Sequence, residues 1–297
     1  MGAKEIKEEI SLKIARQMEE ADPSGWVIPW YGGAGLPKNA ATGAAYRGGN
    51  IWALMLACFG EDTYSHDWAT YKQWITLGRQ VNRGELSTKG LKYGVIQDKN
   101  KKPGELSANE RGYLSGFSLF NYAQTSPTDD AIDVWEPESA KTGEANSVEA
   151  CESYLAKTGA LVNRNAATAF YSDSDDTVNL PPIELFKTTQ GYYGTLFHEL
   201  THWTGSPTRL ARECAAKYHQ DKKERAKEEL IAELGGALLC GLLGIEQEPR
   251  LDHAQYLKSW ISLLKTDTNA FWSAASAASK AIDYLDAKQA IDTLAKV

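Results

Sequence analysis

The chain has 297 residues, 42% hydrophobic and 24% charged, with a formal net charge of −7. That composition describes a globular protein with room for two ordinary domains, and it excludes a disordered or fibrous chain. No apolar run reaches the roughly 18 residues a membrane span needs, so no membrane partner is expected.

The first element is an amphipathic helix. Ile6, Ile10, Ile14 and Met18 recur every four residues among Lys and Glu, and Asp22-Pro23-Ser24-Gly25 ends the pattern. Its charge is too high for a secretory signal. Cys58, Cys151, Cys214 and Cys240 are scattered without a C-x-x-C pair, which points to a reducing, cytoplasmic location.

Charge divides the chain. Residues 1–125 carry 15 Lys and Arg against 13 Asp and Glu, whereas the remainder carries 17 against 26. Thr125-Ser126-Pro127-Thr128-Asp129-Asp130 and Glu136-Pro137-Glu138-Ser139 read as an exposed connector. The expected division is therefore a domain over 1–125, a linker over 126–147 and a domain over 148–297.

The N-terminal half is mildly basic and aromatic, with five of the nine tryptophans. Stacking faces beside cations suit unpaired nucleotides, because bases stack on aromatic rings and Lys and Arg track phosphates. Trp30, Lys38, Tyr46, Arg47, Lys72, Trp74, Arg79 and Arg83 are the candidates for single-stranded DNA. Tryptophans serve as core as readily as platforms, and Trp52, inside the apolar run 51–59, reads as core. The basic excess is too small for a protein gripping long duplex DNA.

The strongest motif lies in the acidic half. His198-Glu199-Leu200-Thr201-His202 is an H-E-x-x-H word within a helical pattern, which puts two imidazoles on one face, one turn apart. That spacing lets both bind one Zn²⁺, with Glu199 beside them as general base. Thr188 or Thr189 caps the helix and Gly205-Ser206-Pro207 stops it. A third ligand is expected from a second helix over 223–243. Glu229 and Glu233 share a face there, so one binds metal while the other orients a ligating histidine. Glu228 points about 100° away, toward solvent. The Gly235-Gly236 pair costs helix propensity, and close approach to the H-E-x-x-H helix offers a compensation. His66, His219 and His253 read as ordinary residues. Two closing helices follow Leu251, the first opened by Asp252, the second running from about 268 to 286.

Several segments carry a family resemblance. Pro37-Lys38-Asn39-Ala40, Tyr46-Arg47-Gly48-Gly49-Asn50, Trp68-Ala69-Thr70-Tyr71-Lys72-Gln73, Gly78-Arg79-Gln80-Val81 and Phe120-Asn121-Tyr122-Ala123-Gln124 resemble the N-terminal domain of ArdC-type antirestriction proteins, a domain also found in primases of conjugative plasmids. Ala169-Phe170-Tyr171, Asp176 to Pro181, Tyr192 to Gly205 and Glu228 to Gly235 resemble the metallopeptidase-like domain attached to it. Gly49 and the connector 129–146 depart from the pattern.

The resemblance implies an α+β fold: an N-terminal single-strand-binding α+β domain with a small sheet, then a mostly helical, zincin-like domain of gluzincin type with a small antiparallel sheet. It implies His198, His202 and Glu229 as ligands of one zinc, Glu199 as general base and Glu233 behind them. The strand Ala169–Tyr171 is expected at a sheet edge beside the cleft, where an extended peptide could add. Tyr192, Tyr193 and Arg209 are the candidates for stabilising an oxyanion. The implied function is protection of incoming conjugative DNA, with single-stranded DNA as partner and host restriction enzymes or other DNA-bound proteins as targets. Two rivals use the same residues: a DNA-binding module with a structural metal, and a cytoplasmic zinc peptidase acting on DNA-associated proteins.

Overall fold

The computed structural model describes residues 2–20, 35–58, 65–96, 111–129, 134–137, 144–245 and 253–294. Helix α1 (Ala3–Glu20) forms where the isoleucine stripe predicts it and buries Ile6, Ile14 and Met18. Its partners are far away in sequence. Ser11 Oγ donates to the Thr268 carbonyl at 2.8 Å, and Lys265 pairs with Glu19.

Strand β1 (Lys38–Asn39), helix α2 (Gly49–Cys58), strand β2 (Asp67–Ala69), helix α3 (Tyr71–Thr76) and strands β3 (Arg79–Val81), β4 (Thr88–Ile96), β5 (Arg111–Asn121) and β6 (Thr125–Pro127) complete the N-terminal half. The main sheet has the order β1-β2-β5-β4, and β3 pairs with β6 separately. The long β4–β5 ribbon is antiparallel, with Gly94 opposite Tyr113 and Gly90 opposite Phe117. Those two rings lie over the glycines, where a Cβ would come within 2.4 and 2.8 Å of them. Helix α2 is tied to the ribbon by Asn50, whose side chain both donates to and accepts from the Leu91 backbone, at 2.8 and 2.7 Å. Thr70 caps α3 in a capping box with Gln73.

The second half comprises helix α4 (Glu144–Thr158), strands β7 (Leu161–Asn163), β8 (Phe170–Ser172) and β9 (Thr177–Asn179), and helices α5 (Thr189–Trp203), α6 (Glu213–Ala216), α7 (Lys222–Leu243), α8 (His253–Thr266) and α9 (Ala270–Leu294). The sheet is small, as expected, but its pairing is mixed. In the order β7-β9-β8, the β7–β9 pair is parallel and only β8–β9 is antiparallel. The Asp221 carboxylate caps α7 by accepting from the Lys223 and Glu224 amides, and Gly244, at φ 70°, ends it in the left-handed region.

One apolar core joins α1 and α2 to α5, α7, α8 and α9. A smaller one, built on Ala69 and Trp74, closes the N-terminal sheet. Helices α5 and α7 meet at Gly235 and Gly236. A Cβ at Gly235 would lie 2.4 Å from Thr201 Cγ2, and one at Gly236 would lie 3.1 Å from the His198 amide nitrogen. The glycine pair thus lets the second helix reach the backbone of the first. Among the described residues, no helix is long and apolar enough to cross a membrane.

Candidate metal centre

Thr188 Oγ1 accepts from the Gly191 amide at 3.0 Å and starts α5. From that start, His198 and His202 fall one turn apart on the face turned to α7. Their Nε2 atoms are 3.2 Å apart. Glu229 Oε2 lies 3.4 Å from His198 Nε2 and 3.9 Å from His202 Nε2. Two nitrogens bound to one tetrahedral ion at about 2.05 Å stand about 3.3 Å apart, so these spacings suit a single ion. The donor set, two imidazoles and one carboxylate, fits zinc chemistry and also other first-row cations.

Carboxylates behind the imidazoles set which nitrogen faces the centre. His198 Nδ1 lies 3.4 Å from Glu233 Oε2, and His202 Nδ1 lies 3.2 Å from Glu228 Oε1. With Nδ1–H directed at a carboxylate, each Nε2 keeps its lone pair for a cation. Glu233 is thus where the expected orienting acid belongs. Glu228 corrects the sequence reading. It is 1% exposed instead of facing solvent, and it is held by Arg212 as well as His202. Arg212 comes from the turn after α5, a placement that helical period cannot reveal.

Burial alone would push both carboxylates up. For Glu229 the two imidazoles and the Tyr218 hydroxyl outweigh it and hold the group well below the ordinary range. For Glu228, His202 and the Arg212 guanidinium do the same. Both acids are therefore charged at neutral pH and give the pocket the negative field that a divalent cation requires. Cys214 Sγ donates to Glu228 Oε2 at 3.0 Å, and burial next to that charge pushes its thiol up to about 12.

The centre opens into a cleft of about 590 Å³. Glu199 lines it beside the two histidines, and edge strand β8 forms one wall through Phe170, Tyr171 and Ser172. The other wall carries Tyr218, His219, Arg225 and Tyr256. Tyr218 donates its hydroxyl to Glu229 Oε1, and Arg225 Nη2 donates to Tyr256 Oη at 3.0 Å. None of these four was a sequence candidate, and His219 is a cleft residue where an ordinary one was expected. One signal was present: Arg225 stands four residues before Glu229 and so shares its face.

The oxyanion candidates lie elsewhere. Tyr192 is fully buried against Phe186, Tyr193 donates to Glu152 at 2.7 Å, and Arg209 stacks on Trp203 while pairing with Asp176. None of the three lines the cleft.

The N-terminal candidates separate by exposure. Trp30 lies outside the described residues. Trp74 is fully buried and donates Nε1–H to the Phe120 carbonyl at 3.0 Å, so it is core, a correction. Arg79 is likewise corrected: it is 4% exposed, pairs with Glu136 at 2.7 Å and covers the Tyr122 ring. Lys38 lies 3.5 Å from Asp67, and Tyr46 Oη accepts from Asn39 Nδ2 at 2.9 Å. Arg47 pairs with Asp283 on α9. Lys72 and Arg83 are exposed. Among the described residues of this half the exposed rings are instead Tyr71, Tyr93 and Tyr113, with Lys92 also exposed on the ribbon.

A histidine pair on α5, a glutamate on α7 and a sheet edge along the cleft define a zincin-like metal-binding domain. Residues 149–277 match the zincin-like metallopeptidase family, and residues 4–120 match the N-terminal domain of anti-restriction factor ArdC. The crystal structure of the antirestriction ArdC protein from the R388 plasmid, metal-free, superimposes with a TM-score of 0.75 at 33% identity, covering 96% of this chain and 97% of that one. Its Mn(II)-bound form gives 0.74 at 32% identity, with 95% and 97% covered. Uncharacterized protein y4eC of Sinorhizobium fredii is 30% identical over 295 residues, which cover 96% of this chain and 92% of that protein. DNA primase TraC of Escherichia coli is 33% identical over 302 residues, covering 95% of this chain but only 27% of the primase. The chain belongs to the ArdC antirestriction family.

Proposed function

We propose that this protein is a cytoplasmic antirestriction factor that holds single-stranded DNA on its N-terminal half and carries a zinc-dependent peptidase centre. The observation that carries the peptidase reading is the convergence of His198, His202 and Glu229 with Glu199 at a cleft bordered by a strand edge. Zinc held by those three residues would act as a Lewis acid and lower the pKa of water. Glu199 takes a proton from the attacking water and passes it to the leaving amine. The edge of β8, unpaired among the described residues, aligns an extended peptide by main-chain hydrogen bonds. Tyr218 keeps Glu229 oriented through its hydroxyl.

DNA binding is supported by the likeness to a DNA primase and by the exposed set Tyr71, Lys72, Arg83, Lys92, Tyr93 and Tyr113. Tethering the peptidase centre to incoming DNA raises its concentration near restriction enzymes and other proteins bound there. Glu199→Gln decides the chemistry. It should leave metal content intact and abolish cleavage of casein or of a protein loaded on oligothymidylate. A variant cleaving at the wild-type rate removes Glu199 from the mechanism. Binding of labelled oligothymidylate that is absent, or indifferent to salt, removes the strand-binding role.

A further inference from the structure

A second cavity, of about 480 Å³, lies between α1, the turn leading into α6 and the first turns of α9. Lys7 and Lys280 supply its charge; Arg212, whose charge is met by Glu228, and Asn269, Ser273 and Ser276 add donors. Ser273, Ser276 and Lys280 of α9, with Asn269 just before its first residue, recur at i, i+4, i+7 and i+11 and so form one stripe. No carboxylate is among its described lining residues, although the residues after 125, which supply the rest of the lining beside Lys7, carry more acids than bases. Neither lysine has an acid within ion-pair distance among the described residues.

Arg212 is a fixed part of this wall. Its side chain is 8% exposed. Nε and Nη2 donate to Glu228, Nη2 also to the Thr201 carbonyl at 2.8 Å, and Nη1 to Thr204 Oγ1 at 2.7 Å. A guanidinium has five N–H groups, so one on Nη1 is left without a partner among the described residues. Trp272 fixes the rim, donating Nε1–H to the Lys7 carbonyl at 3.1 Å.

We infer that this cavity is a phosphate-binding site, and that its phosphate is a phosphodiester of a nucleic-acid strand. Two ammonium groups supply charge, and one free N–H of the buried guanidinium and two hydroxyls supply donors, for phosphate oxygens. One turn along α9, Arg47 pairs with Asp283, and the Gly48 amide donates to Ser279 Oγ at 3.1 Å. A loop of the N-terminal half therefore docks beside the cavity. The nucleic-acid source rests on the strand-binding reading above; the phosphate site itself does not.

The test uses the full chain and the double variant Lys7→Gln/Lys280→Gln, with Lys280→Glu as a second variant. Inorganic pyrophosphate is titrated by calorimetry, and labelled oligothymidylate is titrated across a salt series. Wild-type protein should bind one pyrophosphate per chain, and both variants should bind it at least tenfold more weakly. Each lost single-strand phosphate contact lowers the slope of log affinity against log salt by about 0.7, and since both lysines face the same phosphate the double variant should lose about 0.7. Weakened pyrophosphate binding with an unchanged oligonucleotide slope overturns the phosphodiester and leaves a free phosphate as the ligand. Unchanged binding of both overturns the site. Wild-type protein that ignores oligothymidylate defeats the strand-binding reading alone, and the pyrophosphate titration then decides the site.

Discussion

In the cradle between α5 and α7, two imidazoles and three carboxylates are each less than a tenth exposed, and each lies within 4 Å of an opposing group. On the β4–β5 ribbon the useful groups stand apart in water, with Tyr93 66% exposed and Tyr113 44%. A buried ion is stable only when its neighbours satisfy it, so the cradle is a closed network whose members depend on each other. A solvated surface carries no such requirement, and its residues act one at a time. Removal of one member should therefore spread through the cradle and stay local on the ribbon.

The largest effect is expected at the ligands. Glu229→Ala or His202→Ala should weaken metal binding by more than the 10–100-fold typical of the outer partners, read as metal content after dialysis. Next comes Glu228→Ala, which leaves the Arg212 guanidinium buried without its carboxylate. Denaturant unfolding should show a loss of about 3–5 kcal/mol. A stable variant would mean that water replaces the carboxylate and that the network is looser than its distances suggest. Gly235→Ala should cost about 1–3 kcal/mol, because the new methyl meets Thr201 inside a packed interface. On the ribbon, Tyr93→Ala should cost about 1–3 kcal/mol in oligothymidylate affinity with no change in melting temperature. A matching loss of stability would make Tyr93 structural and erase the contrast.

The smallest effect tests a pair outside the cradle. Arg164 bridges Glu152 at 2.9 and 2.6 Å and, with the Tyr193 hydroxyl, holds that carboxyl below its ordinary range. A depressed carboxylate contributes stability that is present above its unfolded pKa and is lost as pH falls through the folded one. Glu152→Gln should therefore flatten the acid limb of the melting curve. The effect should be less than about 1 kcal/mol, because the pair is partly exposed and screened.

Local chemistry alone determined the helix over the H-E-x-x-H word, a threonine cap at 188 or 189 and the face that Glu229 shares with Glu233. These depend on residues within a few turns of each other, where helical geometry fixes which side chains meet. Tertiary structure decided the rest. It carried α1 onto α8 and α9, placed Glu228 between His202 and Arg212, and brought Tyr218, His219, Arg225 and Tyr256 around the cleft. It also buried Trp74 and Arg79 and left Tyr71, Tyr93 and Tyr113 outside. Sequence spacing says which residues share a face of one element, whereas packing between elements decides whether that face meets a neighbour, a cavity or water.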